Sequence, residues 1–352
     1  MVSAWTRDRA RSAIENLSQA RLDWPDFSEQ VAGQLRRSVG FDGWGLAQTD
    51  PASLLPARAV TQDAPVCGSQ QRFWRIENQL SDVNQLASLA CSGRPVGALS
   101  VATGGDLARS RRWAEILRPA GVIDELRAAL TIGGYCWGSL TLYRASGCRY
   151  TDEEIGHVSE ILGAAAAGAR GTWASRSPAR DADPCDDPGT IIVTAAGTPV
   201  TATPQASRWL ARLIPDPRGS QGLIYALTAR LTAPATGKNT AAGARVRART
   251  DGGHWLDIHA SRLAAALPGC DVAITIQPAS ADRLSPLLMR AHALSARERQ
   301  VAWLILDSRA PAEIARALHI SPYTANDHLK AIFRKTRTHS QPELSQCLTG
   351  RI

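Results

Sequence analysis

Apolar side chains recur at helical spacing near both ends of the chain and alternate with polar ones between. Phe27, Val31, Leu35 and Val39 repeat every four residues, with Pro25 in the first turn, and predict a helix. Residues 44–49 then read as a strand. Residues 126–131 and 136–143 flank Gly133-Gly134, and Trp137, Ser139 and Thr141 alternate with Gly138, Leu140 and Leu142, which predicts a hairpin. Thr151 followed by Glu154 caps a helix to about residue 167. Residues 1–22 read as a helix of their own. Residues 55–120 carry no clear period.

A stretch rich in Pro, Asp and Arg, residues 171–187, reads as a linker. After it the pattern turns strand-like again. Residues 191–194 and 199–202 flank a turn at Ala196-Gly197. Thr203-Pro204 opens a helix with Ala206, Trp209, Leu210 and Leu213 on one face. Residues 244–248 and 254–259 flank Asp251-Gly252-Gly253, and Val272, Ile274 and Ile276 alternate as a last strand. Residues 232–243 read as a loop.

The tail is wholly helical in pattern. Ser295 and Glu298 form a capping box ahead of Ala296, Val301, Leu304 and Ile305. Pro311 opens a short helix to Leu318 that buries Ile314 and Ala315. Ser321 caps a third helix with Pro322 at its first position. Its stripe is Ala325, Leu329, Ile332 and Thr336, and Tyr323, Asn326, Asp327, Lys330 and Arg334 fall mostly on the other face. Ser340 and Glu343 cap a fourth. Two helices joined by so tight a turn, the second with a polar outward face, make a DNA-reading motif. Asn can pair with adenine, Lys with guanine, and Asp can accept from the cytosine amino group. Arg334 and Lys335 are placed for phosphates.

Charge sharpens this picture. Of the 352 residues, those from Pro286 onward hold ten basic and five acidic side chains, a net +5 of the chain's +8. That excess is the footprint of a surface meeting phosphates.

The tail resembles the LuxR/GerE-type helix-turn-helix domain. The resemblance rests on Leu294, Ser295, Arg297, Glu298 and Arg299; on Glu313, Ile314 and Ala315; on Ile320, Ser321, Thr324, His328, Leu329, Ile332 and Lys335; and on Ser340 and Glu343. It implies that the third helix enters the major groove, with Asn326, Asp327 and Lys330 facing the bases, and that the fourth supports dimerisation. The DNA-contacting set is then Tyr323, Thr324, Asn326, Asp327, Lys330, Arg334 and Lys335. Departures from the family pattern are Ser308 and Arg337 where glycine is usual, Ala310 at a capping position, Ala325 and Thr336 at larger apolar positions, and Gln341 where arginine is usual. Upstream, residues 23–170 resemble a GAF domain, best at GGYCWGSLTLYR and YTDEEIGHV, and residues 188–280 resemble a PAS domain.

The fold class expected is multidomain: α+β GAF-like and PAS-like sensory domains, then an all-α four-helix LuxR-type helix-turn-helix domain at 286–350. The function expected is that of a cytoplasmic homodimeric transcriptional regulator of double-stranded DNA. RNA polymerase is a candidate partner, and the input is an unspecified small molecule or protein. The alternative is a protein-binding adaptor whose motif no longer reads DNA.

Other chemistry finds little support. No GxxxxGK[ST] loop, nucleophile elbow or metal-spaced His/Cys cluster occurs, so no enzyme, cofactor or metal is expected. His254 and His259, five apart in a strand, point to opposite faces. Seven cysteines are scattered, with Cys136 and Cys148 read as buried packing residues. Trp74 and Asp82 superficially match ligand-binding residues of quorum-sensing LuxR members. No run is long and apolar enough for a membrane span, and the amino terminus has no secretory apolar stretch.

Overall fold

The computed structural model describes residues 4–20, 22–175, 187–213, 217–234, 244–264 and 271–351. Two helices open the chain, α1 (Ala4–Gln19) and α2 (Trp24–Ser38). The Asp23 carboxylate caps α2 by accepting from the Asp26 amide at 3.0 Å. Then come β1 (Gly43–Thr49), β2 (Pro56–Gln62), α3 (Gln70–Gln79), α4 (Leu86–Cys91), β3 (Val96–Ala98), α5 (Leu99–Ala102), β4 (Asp124–Ile132), β5 (Tyr135–Arg144) and α6 (Asp152–Trp173). The strands form one antiparallel sheet in the order β2-β1-β5-β4-β3. Gly133 and Gly134 turn the β4–β5 hairpin at φ +61° and +78°, where a two-residue loop needs positive φ twice.

One face of this sheet is apolar. Leu46, Leu126, Leu140 and Leu142 are buried in the same core as Phe27 of α2 and Val158 of α6. The closing helix α6 starts at the expected box: the Glu154 amide donates to Thr151 Oγ1 at 3.3 Å, and the Thr151 amide donates back to Glu154 Oε2 at 2.9 Å. The N-terminal helix α1 lies against α6 and α2.

The second half repeats the plan: β6 (Gly189–Val193), β7 (Pro199–Ala202), α7 (Pro204–Leu213), α8 (Pro217–Leu231), β8 (Arg245–Arg249), β9 (Trp255–Arg262) and β10 (Val272–Pro278). Its order is β7-β6-β10-β9-β8, again antiparallel. Counted from each first strand, both sheets read 2-1-5-4-3. Five helices follow: α9 (Ala281–Ala291), α10 (Ala296–Leu306), α11 (Pro311–Ala317), α12 (Pro322–Thr336) and α13 (Gln341–Thr349).

Several expectations need correcting. Residues 171–173, assigned to the linker, finish α6, because Trp173 is buried and stacks on Trp255 with ring centroids 5.9 Å apart and planes 12° from parallel. Residues 176–186 and 235–243, with Cys185 and Cys270, lie outside the described residues. Cys136 is buried as expected, and burial pushes its thiol up to about 11, but Cys148 is exposed. Helices α8 and α9 were not anticipated. Asp82 is taken up internally: its Oδ2 accepts from the Arg112 amide at 2.8 Å and lies 3.4 Å from Arg112 Nη1. Arg112 is wholly buried and also donates to Glu125 at 2.7 and 2.9 Å.

Candidate nucleic-acid interface

The last four helices pack their apolar faces together, in a core continuous with that of the sheets. Val301, Ala302 and Ile305 of α10, Ile314 and Ala315 of α11, and Ala325, Leu329 and Ile332 of α12 are all buried in it. The apolar stripe of α12 is therefore the one its spacing predicts. Thr336, at the stripe's end, satisfies its hydroxyl instead of leaving it bare: Oγ1 lies 2.8 Å from the Ile332 carbonyl and 2.8 Å from Thr338 Oγ1.

The turn between α11 and α12 is tight. His319 takes φ +52°, a left-handed residue that ends α11, and Ser321 then caps α12, its Oγ accepting from the Thr324 amide at 3.0 Å. Pro322 fills the first position, where no amide donor is needed. Ala310 cannot cap α11 with its side chain, but its own amide donates to Glu313 Oε2 at 2.9 Å, half of a capping box. Ser308 and Arg337, the two places where glycine is usual, both adopt left-handed backbone, at φ +60° and +54°.

Burying one stripe leaves the opposite face of α12 in solvent. Tyr323 is 75 % exposed, a large aromatic with nothing over it. Asn326, Asp327, Lys330 and Arg334 are exposed with it, and Thr324 is half-buried beside its cap. Lys330 and Asp327 sit 3.9 Å apart, but a surface pair of that length holds its members weakly. Six of the seven expected residues are thus gathered at one face.

Lys335 is placed differently. Its Nζ lies 2.6 and 2.9 Å from the Glu298 carboxylate oxygens and donates to the Ala293 carbonyl at 3.2 Å, tying α12 to the start of α10. Burial opposes ionisation of Glu298, but the Lys335 ammonium and the Ser295 amide outweigh it and hold its carboxyl below the ordinary value. Other cations of the basic tail are also engaged internally. Arg297 donates to the Leu318 carbonyl at 2.6 Å, Arg299 to the Leu294 carbonyl at 2.7 Å, and Arg290 lies over the Tyr135 ring at 4.8 Å. Arg316, absent from the expected set, is exposed on α11, because burial of Ile314 and Ala315 turns it outward. The period of α11 carried that signal.

Residues 292–348 match the family described as bacterial regulatory proteins, luxR family. The C-terminal unit is a LuxR-family helix-turn-helix domain. No curated protein matches the chain. The match covers α10 to α13 except for the final residue of α13, and it begins at His292, just after α9. The chain therefore carries the DNA-binding domain of a transcription regulator behind two five-stranded antiparallel sheets. No helix among the described residues is long and apolar enough to cross a membrane.

The LuxR-family domain is joined to what precedes it. Helix α13 lays Leu344, Cys347 and Leu348 inward, against α9 and the rest of the domain, and Cys347 Sγ lies 3.4 Å from His292 Nε2. Gly350 ends α13 at φ +73°, where a Cβ would stand 2.6 Å from Trp255 of β9 and 2.8 Å from Leu284 of α9.

Proposed function

We propose that this protein binds double-stranded DNA as a homodimer, with α12 in the major groove, and regulates transcription from there. The first sheet domain, read as GAF-like, and the second, read as PAS-like, bias that binding in response to a small molecule or a protein. The observation that supports the reading is the single exposed polar face of α12, with its complementary face buried. Asn326 suits adenine, Lys330 guanine and Asp327 the cytosine amino group. Tyr323 and Thr324 open the helix at the end that reaches base edges in this motif. Arg334, with Arg316 on α11, suits the phosphates on either side. Lys335 has a role inside the domain, so it is left out of this set. The strand order shared by both sheets supports two modules of one architectural kind. Such a regulator works in the cytoplasm, with RNA polymerase as the machinery it influences.

Selection of genomic fragments by the full-length protein tests this. The expected result is an enriched pseudo-palindrome with half-sites about 10 bp apart, bound less tightly as salt rises because phosphate contacts release counterions. Absence of any preference over random duplex would leave a protein-binding adaptor.

A further inference from the structure

The first sheet has a second face, unlike the apolar one. Gly45 pairs with Thr141 and Thr61, and Ala47 pairs with Ser139 and Ala59, so small side chains adjoin across three strands. Along β1, buried Trp44, Leu46 and Gln48 alternate with half-buried Gly45 and Ala47. A layer packed on a sheet stands about 10 Å away, and these side chains are too short to fill that space. A cavity of about 650 Å³ results, within the size range of small-molecule sites.

Both halves of the chain enclose it. Phe73 and Trp74 of α3 line it together with Leu223 and Arg230 of α8. Helix α8 approaches α3 closely because residue 222 is glycine; a Cβ there would stand 3.1 Å from Gln70 Nε2. The two helices are pinned at the far end, where Gln79 Nε2 donates to Thr232 Oγ1 at 2.7 Å.

Not every charge around this cavity is paired. Arg127 is matched by Glu77 at 2.8 Å, and Arg58 by Asp251. Arg230 has no carboxylate partner among the described residues. Its donors reach only the Ser53 carbonyl at 3.0 Å and Asn78 Oδ1 at 3.4 Å, and its buried Nε has no partner. Burial pulls its pKa down, as it does for a cation without a counter-charge. Asp63 follows the far end of β2, whereas Ser53 precedes its start, and a seven-residue strand spans about 23 Å. Asp63 therefore does not neutralise Arg230.

We propose that this cavity binds a small amphipathic monocarboxylate, its apolar body over Gly45, Ala47 and Ser139 and its carboxylate on Arg230. One unmatched guanidinium calls for one negative charge, and its fork matches a planar carboxylate. The apolar walls exclude a small, fully hydrated anion. Bound there, the molecule ties α8 of the second half to α3 of the first. Its role as the regulator's input rests on the function proposed above.

The test titrates octanoate, 3-phenylpropionate and the corresponding alcohols, octan-1-ol and 3-phenylpropan-1-ol, into the full-length protein by calorimetry. At least one acid should bind saturably, tenfold or more tighter than its alcohol. Arg230→Gln should lower acid affinity at least tenfold and change alcohol affinity less than twofold. Arg230→Lys should recover part of the preference, and Ala47→Phe should abolish binding of both, with circular dichroism checking that each variant is folded. Equal affinity for acid and alcohol, a preference that survives in Arg230→Gln, or no saturable binding of any of the four would overturn the proposal. The fragment selection runs on the same preparation. Acid binding without DNA sequence preference removes the regulator reading and keeps the cavity; sequence preference without acid binding removes only the cavity.

Discussion

Arg247 of β8 reaches Asp50 at the end of β1, its Nη2 2.6 Å from Oδ1 and its Nε 2.8 Å from Oδ2. The Arg247 amide donates to the same carboxylate at 2.9 Å, and its Nη1 donates to the Arg283 carbonyl of α9 at 3.0 Å. One guanidinium thus joins the first sheet, the second sheet and the helix leading into the LuxR-family domain. Asp50 is only 2 % exposed, so Asp50→Ala strands a buried cation and should cost about 3–5 kcal/mol. The Asp50→Leu, Arg247→Met pair, which removes both charges, should cost much less. Urea unfolding measures this; a loss below about 1 kcal/mol for Asp50→Ala would show that the joint is slack.

Within the DNA-facing set, Lys330 and Arg334 should behave differently. Lys330→Ala should weaken binding to the selected site by about 1–3 kcal/mol and relax the base preference at one position. Arg334→Ala should weaken binding about equally on all sequences and reduce the slope of affinity against salt by about 1. Fluorescence anisotropy on specific and random duplexes, across a salt series, separates the two. If Lys330→Ala leaves both affinity and preference intact, that side chain is not reading a base.

Much of this was legible in the chain because it is local. The caps at Ser295, Ser321 and Ser340 and the stripe Ala325–Leu329–Ile332–Thr336 depend on neighbours within a turn or two, and the structure has them where the spacing places them. The hairpin at Gly133-Gly134 is local in the same way. Contacts between distant segments were not legible. Lys335 sits beside Arg334 in sequence and looks like a second phosphate ligand, but its partner Glu298 is 37 residues away. Helix α9 was hidden by Pro286, which reads as a breaker yet sits inside it. Helix α8 was hidden by its small residues, whose value appears only when α3 is beside it. Arg112 and Arg230 lie on opposite sides of one rule: a buried cation is matched or it is not, and no window of sequence reports which.

The Lys335–Glu298 pair should therefore act on stability rather than on DNA contact. Lys335→Ala should cost about 1–3 kcal/mol, between the limits for surface and buried pairs, and leave the salt slope of DNA binding unchanged. Acid should erase the difference. The Glu298 carboxyl is held below its ordinary 4.5, so the contribution is complete above that value and is lost as pH falls through the lowered one. The stability gap between the native protein and Glu298→Gln, which keeps the cap but not the charge, should shrink as pH falls below the ordinary 4.5 and vanish below the lowered value. A gap that persists unchanged at pH 3 would mean that the carboxylate charge contributes nothing.

The left-handed residues Ser308 and Arg337 offer the converse, a gain in stability. A side chain in that conformation costs roughly 1–2 kcal/mol, and glycine removes the cost while giving back part of it as unfolded-chain entropy. Ser308→Gly should therefore stabilise the domain by about 0.5–1 kcal/mol, and Ser308→Val, with a branched Cβ at φ +60°, should destabilise it. Arg337→Gly should shift stability in the same direction, because Arg337 holds the same left-handed backbone. Thermal unfolding of the three variants gives the order directly. If Ser308→Gly proves no more stable than the native protein, the turn after α10 is not strained, and the departure from glycine there carries no cost.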